Sequence, residues 1–266
     1  MPTIQELRKT PHWSYSALNS YLNICQLQYF FRYIEQAEVE QTSACFAFGK
    51  AFHAALSEQA REVQRGGSLT REEVCECFAD AFGIEVEATS NLLCKPGEDK
   101  DSMIALAERM LDTSLAEWSD YYNVKSVAEA FSITVPGLDK PLIGEFDLVV
   151  DDGRNSCIVD WKTSACRWSA GKADRDLQAT VFSYAFRQLY DDVPIFRFDV
   201  ITKTKTPSYE RHYTSRGFHD FQRFEVLANQ AQEAISKGVF LPSETSFACA
   251  ECPYKSRCRS WHIGKR

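Results

Sequence analysis

An aspartate and a lysine two residues apart, Asp160 and Lys162, interrupt a segment that otherwise reads as an interior β-strand, Ile158-Val159-Asp160-Trp161-Lys162-Thr163. Side chains alternate faces along a strand, so the carboxylate and the ammonium share one face while Val159 and Trp161 share the other. Burying either charge alone is expensive, and the pair therefore needs a reason. A salt bridge at a sheet edge is one such reason. Catalysis is a second. Asp147, in Gly144-Glu145-Phe146-Asp147, falls near the end of the preceding strand, and a short hairpin turn would set the two aspartates side by side. Two carboxylates suit one hard Mg²⁺ or Mn²⁺ ion whose other ligands are water and phosphate oxygens. An ion so held acidifies a bound water and neutralises charge on a phosphoryl group, while a neighbouring lysine can orient or help deprotonate the attacking water. This set, D…D-x-K, suits phosphodiester hydrolysis.

A second constellation lies in the tail, where Cys249, Cys252 and Cys258 form C-x2-C-x5-C, with Cys25 far upstream. Four thiolates suit a zinc ion or an iron–sulfur cluster. The second close C-x2-C pair of a zinc ribbon is absent, and disulfides do not suit a reducing compartment. Cys25 also falls on the apolar stripe of its helix, where it reads as a small buried residue. The other six cysteines (Cys45, Cys75, Cys77, Cys94, Cys157 and Cys166) read the same way, as buried hydrophobes.

The elements that must position these groups change period along the chain. Residues 14–34 read as one helix capped by Ser14 or Ser16, with Leu18, Tyr21, Leu22, Cys25 and Tyr29 on one stripe. Further helices are expected over 48–60, 70–88 and 101–123. The middle switches to alternation: strands over 128–135, 142–150 and 157–162, joined by turns at Pro136-Gly137 and Asp151-Asp152-Gly153. A helix over 174–190, a strand pair around Pro207 and a helix over 218–237 complete the chain before the tail. The expected class is α/β (α+β), a small mixed central sheet flanked by helices. Three regions follow: a helical part over 1–125, a core over 126–240 and a cysteine-rich tail over 241–266. Lys203, Lys205, Arg211 and Arg216, with Tyr209 and Tyr213 among them, form either a strand-facing DNA contact or a solvated ribbon face.

At 266 residues the chain can bury a full core. The start has no apolar leader and no later apolar run could span a bilayer, so a cytoplasmic protein without membrane contact is expected. Net charge is −7, which excludes a globally basic polyanion binder and requires that any nucleic acid meet a local basic patch or metal ions.

Six features in order carry a resemblance: Ser14-x-Ser16-x-Leu18-x-x-Tyr21-x-x-x-Cys25, Gly49-x3-His53, Glu129 at a strand start, Gly144-x-x-Asp147, Asp160-x-Lys162-Thr163 and the cysteine tail. Together they resemble the RecB-type branch of the PD-(D/E)XK nuclease superfamily, in particular members with an iron–sulfur staple, such as AddAB-type nuclease domains and CRISPR adaptation nucleases. The resemblance spans nearly the whole chain. It implies a restriction-endonuclease-like core and a metal-dependent DNA exonuclease acting on single-stranded ends, in repair, recombination or CRISPR adaptation. A helicase or a CRISPR adaptation protein is the partner it implies. The metal set it implies is His53, Asp147, Asp160 and the backbone carbonyl of Trp161, with Gln178 on the helix after the D-x-K strand as a further catalytic residue. The tyrosine usual four residues beyond that glutamine is Phe182 here, with Tyr184 two further on; Glu129 and Tyr184 are secondary candidates. By the same resemblance Cys25, Cys249, Cys252 and Cys258 hold a structural 4Fe–4S cluster that ties the N-terminal helix to the tail. Gln26 stands where the usual proline follows the first cysteine. A catalytically silent DNA-binding or scaffold subunit, and a zinc-stabilised module, are the alternatives.

Overall fold

A computed structural model describes residues 2–95, 97–118, 123–151 and 153–263, with Phe247 described by its backbone alone. Five long strands make the sheet: β4 (Val124–Ile133), β5 (Leu142–Asp151), β6 (Ser156–Ser164), β7 (Ile195–Thr202) and β8 (Tyr209–Ser215), joined by the two-residue β1 (Trp13–Ser14) that follows the short helix α1 (Ile4–Leu7); β2 (Thr42–Ser43) and β3 (Leu92–Leu93) pair with each other apart from it. β4 runs antiparallel along one edge of β5. The other edge of β5 is shared, by β1 at Leu142 and Ile143 and by β6 from Leu148 onward. β7 is parallel to β6, and β8 is antiparallel to β7. The mixed sheet flanked by helices agrees with the class expected from the sequence.

Helices cover both faces because the strands are apolar on both. One face packs against α2 (Tyr15–Asn19), α8 (Leu177–Tyr190) and α9 (Phe218–Ser236), burying Phe131, Phe146, Ile158, Phe196 and Phe198. The other packs against α4 (Ala44–Gln64), α5 (Arg71–Glu87) and α6 (Lys100–Leu115), burying Leu148, Val150, Val159 and Trp161. Within that second layer Phe48, Phe52, Phe78 and Phe82 stack in one cluster. Each buried phenyl contributes about 2 kcal/mol, which anchors the inner face of α4. Local chemistry sets the helix starts: Ser14 accepts from the Ala17 amide, Ser43 from Cys45, Thr70 from Glu73, and Asp176 from Gln178.

Two expectations need correction. Residues 14–34 do not form one helix. Cys25 is extended (φ −168°, ψ 120°) and splits the segment into α2 with a π turn over Ser20–Ile24, then α3 (Gln26–Tyr29) with a second π turn over Phe30–Ile34. The backbone stays satisfied across the break, since Cys25 N–H donates to the Ser20 carbonyl and its own carbonyl accepts from Tyr29. The helix expected over 101–123 ends at Leu115, and its last expected residues, 119–122, lie outside the described residues, as does Asp152 of the β5–β6 turn. Among the described residues no helix is long and apolar enough to cross a membrane.

Gly144 is required by packing. The Phe131 ring lies across it from β4, and a Cβ there would meet Phe131 Cζ at 2.3 Å. Gly144→Ala should therefore cost about 1–3 kcal/mol in chemical denaturation, and a Phe131→Leu background should reduce that penalty. Equal penalties in both backgrounds would show that the ring is not the obstacle.

Candidate active site

The site is built where two strands part. β5 and β6 pair from Asp151↔Ser156 to Leu148↔Val159 and no further, while β6 continues beside β7 to Ser164. At this point the side-chain alternation of β5 also reverses: Phe146 packs on the α8 face and Leu148 on the α4 face, although residues two apart ordinarily share a face. Ala128, opposite Asp147 on β4, takes up the twist with a left-handed φ of +49°. Asp147 is thereby turned into the gap. Its Oδ2 accepts the Trp161 amide at 3.1 Å, a bond that a regular β5 backbone would otherwise have supplied. A strand residue points its N–H and C=O to the same side, so the Trp161 carbonyl faces this gap as well.

Asp160 and Lys162 share a face of β6, as the strand period requires. Lys162 Nζ stands 2.6 Å from Asp160 Oδ2, and Gln178 Nε2, from the first turn of α8, donates to Asp160 Oδ1 at 2.5 Å. The pair is within one central strand and not a cross-strand bridge at an edge. His53 projects from the outer face of α4 and puts Nδ1 3.1 Å from Asp147 Oδ2. Two carboxylates, an imidazole and an ammonium thus converge from three elements.

Burial decides the charge state of Asp160: it raises the carboxyl pKa to about 6, helped by Asp147 and opposed by Lys162. Burial works the same way on Asp147, yet His53, Lys162 and the Trp161 amide outweigh it and hold that pKa below the ordinary value. For His53 and Lys162 burial favours the neutral forms, but the facing carboxylates win and raise both pKa values. Lys162 keeps its proton at neutral pH and serves as a charge and a donor. Among the described residues no three His, Cys, Asp or Glu side chains form a ready-made metal-ligating group. The donor set still fits a hard cation, which takes one or two carboxylates and completes its shell with water and phosphate.

The cleft over these groups is about 1150 Å³ and is bordered by α4, the N-terminal segment and β4. Glu145 lines it, and sequence reasoning missed it; burial and then Asp147 raise its pKa. Tyr15 was missed too. Its ring meets Phe182 edge-on and its hydroxyl approaches Asp176 at 3.5 Å, a contact between segments that no local pattern signals. Glu129 lines the cleft with its carboxylate bonded to Tyr190 of α8. Tyr184 is not brought to the site: it is buried between α8 and α9 and donates to Glu225 at 2.7 Å. The basic set disperses. Arg216 is buried against Thr180 and the Ala173 and Asp176 carbonyls, and Arg211 pairs with Glu117. Tyr209 donates to the buried Asp199, while Lys203 lines the cleft.

Cys25, Cys249, Cys252 and Cys258 line one cavity of about 250 Å³, without forming a metal-ligating group among the described residues. The extended backbone at Cys25 presents its sulfur there, where it accepts the Ser243 amide at 3.3 Å. Burial raises the Cys252 and Cys258 thiols, and the other cysteines of the set raise them further. Around the cavity the tail grips the N-terminal segment through Glu35–Arg257, the Glu40 carboxylate on Ser256 and the Phe31–Tyr254 ring contact. Of the six remaining cysteines Cys157 is buried and Cys166 is exposed, so the latter is not the core residue expected.

The chain belongs to the PD-(D/E)XK nuclease superfamily, whose family model matches residues 12–259, a span that includes His53, both aspartates, Lys162 and all four cavity cysteines. A crystal structure from Eubacterium rectale, described as a "Putative exonuclease", is similar in fold, with a TM-score of 0.57 and 16% identity over 93% of this chain and 90% of that one. The structure of SSO0001 covers 91% of this chain and 94% of its own at 12% identity, with a TM-score of 0.37. No curated protein matches the chain.

The raised Asp160 pKa has a consequence for stability. The folded state holds this proton more tightly than the unfolded chain, so stability contributed at low pH is lost as pH rises from 3.8 through about 6. In metal-free protein the Asp160 carboxyl should therefore titrate above 3.8, which side-chain carboxyl NMR measures. A carboxyl that titrates at or below 3.8 would contradict burial as the dominant cause.

Proposed function

We propose that the protein is a Mg²⁺- or Mn²⁺-dependent DNA exonuclease acting on single-stranded ends, of the RecB-type branch, with a structural 4Fe–4S cluster. The observation that carries this reading is the convergence of Asp147, Asp160 and Lys162 at the parting of β5 and β6, with Asp147 and Lys162 lining a cleft and Asp160 buried beneath them. At about 1150 Å³ that cleft exceeds the usual small-molecule pocket and suits a polymer. Asp147, Asp160, His53 and the Trp161 carbonyl would hold the metal, which would neutralise phosphate charge and acidify a water. The water would lose a proton to solvent as its oxygen attacks phosphorus, the P–O bond to the departing strand would break, and the freed oxygen would take up a proton from solvent. Lys162, held cationic by its carboxylate neighbours, orients the water and stabilises charge on the phosphoryl oxygens as it builds. Gln178 holds one oxygen of the Asp160 carboxylate and leaves the other to Lys162. The resemblance further supports a cytoplasmic enzyme of DNA repair, recombination or CRISPR adaptation that works with a helicase or an adaptation protein.

End-labelled single- and double-stranded oligonucleotides with Mg²⁺ or Mn²⁺ test the reading. Asp160→Ala should abolish cleavage while DNA is still bound, and Lys162→Ala should cut the rate by about 10²-fold or more. His53→Ala should raise the metal concentration needed, with partial rescue by excess Mn²⁺. Wild-type cleavage by Asp160→Ala or Lys162→Ala would refute the assignment.

The four cavity cysteines support the cluster, since four thiolates are what a 4Fe–4S centre requires. A cluster there would close the chain between Cys25 and the tail, and its binding free energy would be folding free energy. Cys25→Ser and Cys258→Ser should both lose the brown colour and melt lower, whereas Cys75→Ser and Cys94→Ser should keep it. A stable, full cluster in Cys25→Ser, or zinc in place of iron in anaerobically purified protein, would overturn this assignment.

A further inference from the structure

Phe46 is 67% exposed although it sits in the first turn of a helix whose other phenylalanines, Phe48 and Phe52, are completely buried. A large apolar ring left in water at a cleft asks for a partner. It lines the same cleft as His53, Asp147 and Lys162. Phe46, Lys50 and His53 follow one another at four and three residues along the outer face of α4, so they form one stripe. At a 1.5 Å rise per residue the ring stands about 10 Å from His53 along the helix axis, roughly the reach of one or two nucleotides of an unstacked strand.

The place of the ring in the cleft says what kind of partner fits. Lys50 is taken by Glu85 at 2.8 Å, and Lys203, which lines the same cleft, lies 5.6 Å over the buried Phe48 ring and not over Phe46, while Glu58, Glu129 and Glu145 line the cleft as well. The N-terminal end of α4, a 21-residue helix, adds its positive end at the same rim. A flat apolar ring on the wall of the cleft that holds His53, Asp147 and Lys162 matches the face of a nucleobase, which an unpaired nucleotide offers and a pair inside a duplex does not.

Resting on the nuclease reading above, we infer that Phe46 is a base-stacking platform that holds an unpaired nucleotide beside the scissile phosphate and so selects single-stranded ends. Stacking of one base on an aromatic side chain changes affinity by about 10- to 100-fold. In steady-state cleavage of a single-stranded oligonucleotide, Phe46→Ala should raise KM by that factor with kcat unchanged, and Phe46→Trp should retain the wild-type KM. The ring is exposed, so the substitution leaves the fold intact. An abasic site moved along the strand should cost wild type the same factor at one position near the first cleaved bond, and cost Phe46→Ala nothing there. An unchanged KM in Phe46→Ala, or the same abasic profile in both proteins, overturns the stacking role alone and leaves the ring to a protein partner. A wild type that neither binds nor cleaves DNA overturns it together with the nuclease reading.

Discussion

The bond from the Trp161 amide to the Asp147 carboxylate is the interaction on which the site depends. Where β6 leaves β5, backbone groups that would have paired across the sheet need partners, because an unpaired buried N–H is costly. Filling that place with a carboxylate does two things at once. It satisfies the amide, and it fixes an aspartate in the opening that the parting strands create. The reversal of β5 at Asp147 and the left-handed Ala128 opposite it are the backbone cost of aiming that side chain. Asp160, on the other side of the opening, is held by Gln178 and Lys162.

The two helical layers serve this opening differently. The layer with α8 supplies Gln178 from a helix start whose cap, Asp176, fixes its position. The layer with α4 supplies His53 on a helix nailed down by buried phenylalanines on its inner face. His53 also meets the Trp161 ring edge-on, so the imidazole is held from two sides. The cysteine cavity lies apart from the opening, and its neighbours, Glu35 with Arg257 and Glu40 with Ser256, tie the same two ends of the chain that a cluster would tie.

Much of this was legible in the sequence because it rests on period and local chemistry. The strands around Asp147, Asp160 and Lys162, the shared face of Asp160 and Lys162, and the Ser14 cap follow from alternation and from capping residues. What was hidden depends on departures from period. The extended Cys25 breaks a stripe of apolar residues that reads as continuous helix. The turnover of β5 at Asp147 leaves no mark in composition, since Ala128 is not a residue type that signals a left-handed backbone. Contacts between distant segments, Tyr15 with Phe182 and Arg216 with the α7 (Lys172–Arg175) carbonyl of Ala173, were beyond reach for the same reason. The basic residues in and just after β8 read as one face, yet burial and pairing claim Arg211 and Arg216 for structure.

The central claim is that the parting of β5 and β6 is a divalent-metal site. Anomalous diffraction from crystals soaked in Mn²⁺ measures this directly. The account predicts a single strong peak in the opening, within about 2.5 Å of carboxylate oxygens of both Asp147 and Asp160. A map with no peak there, the two carboxylates still paired with His53 and Lys162, would contradict it.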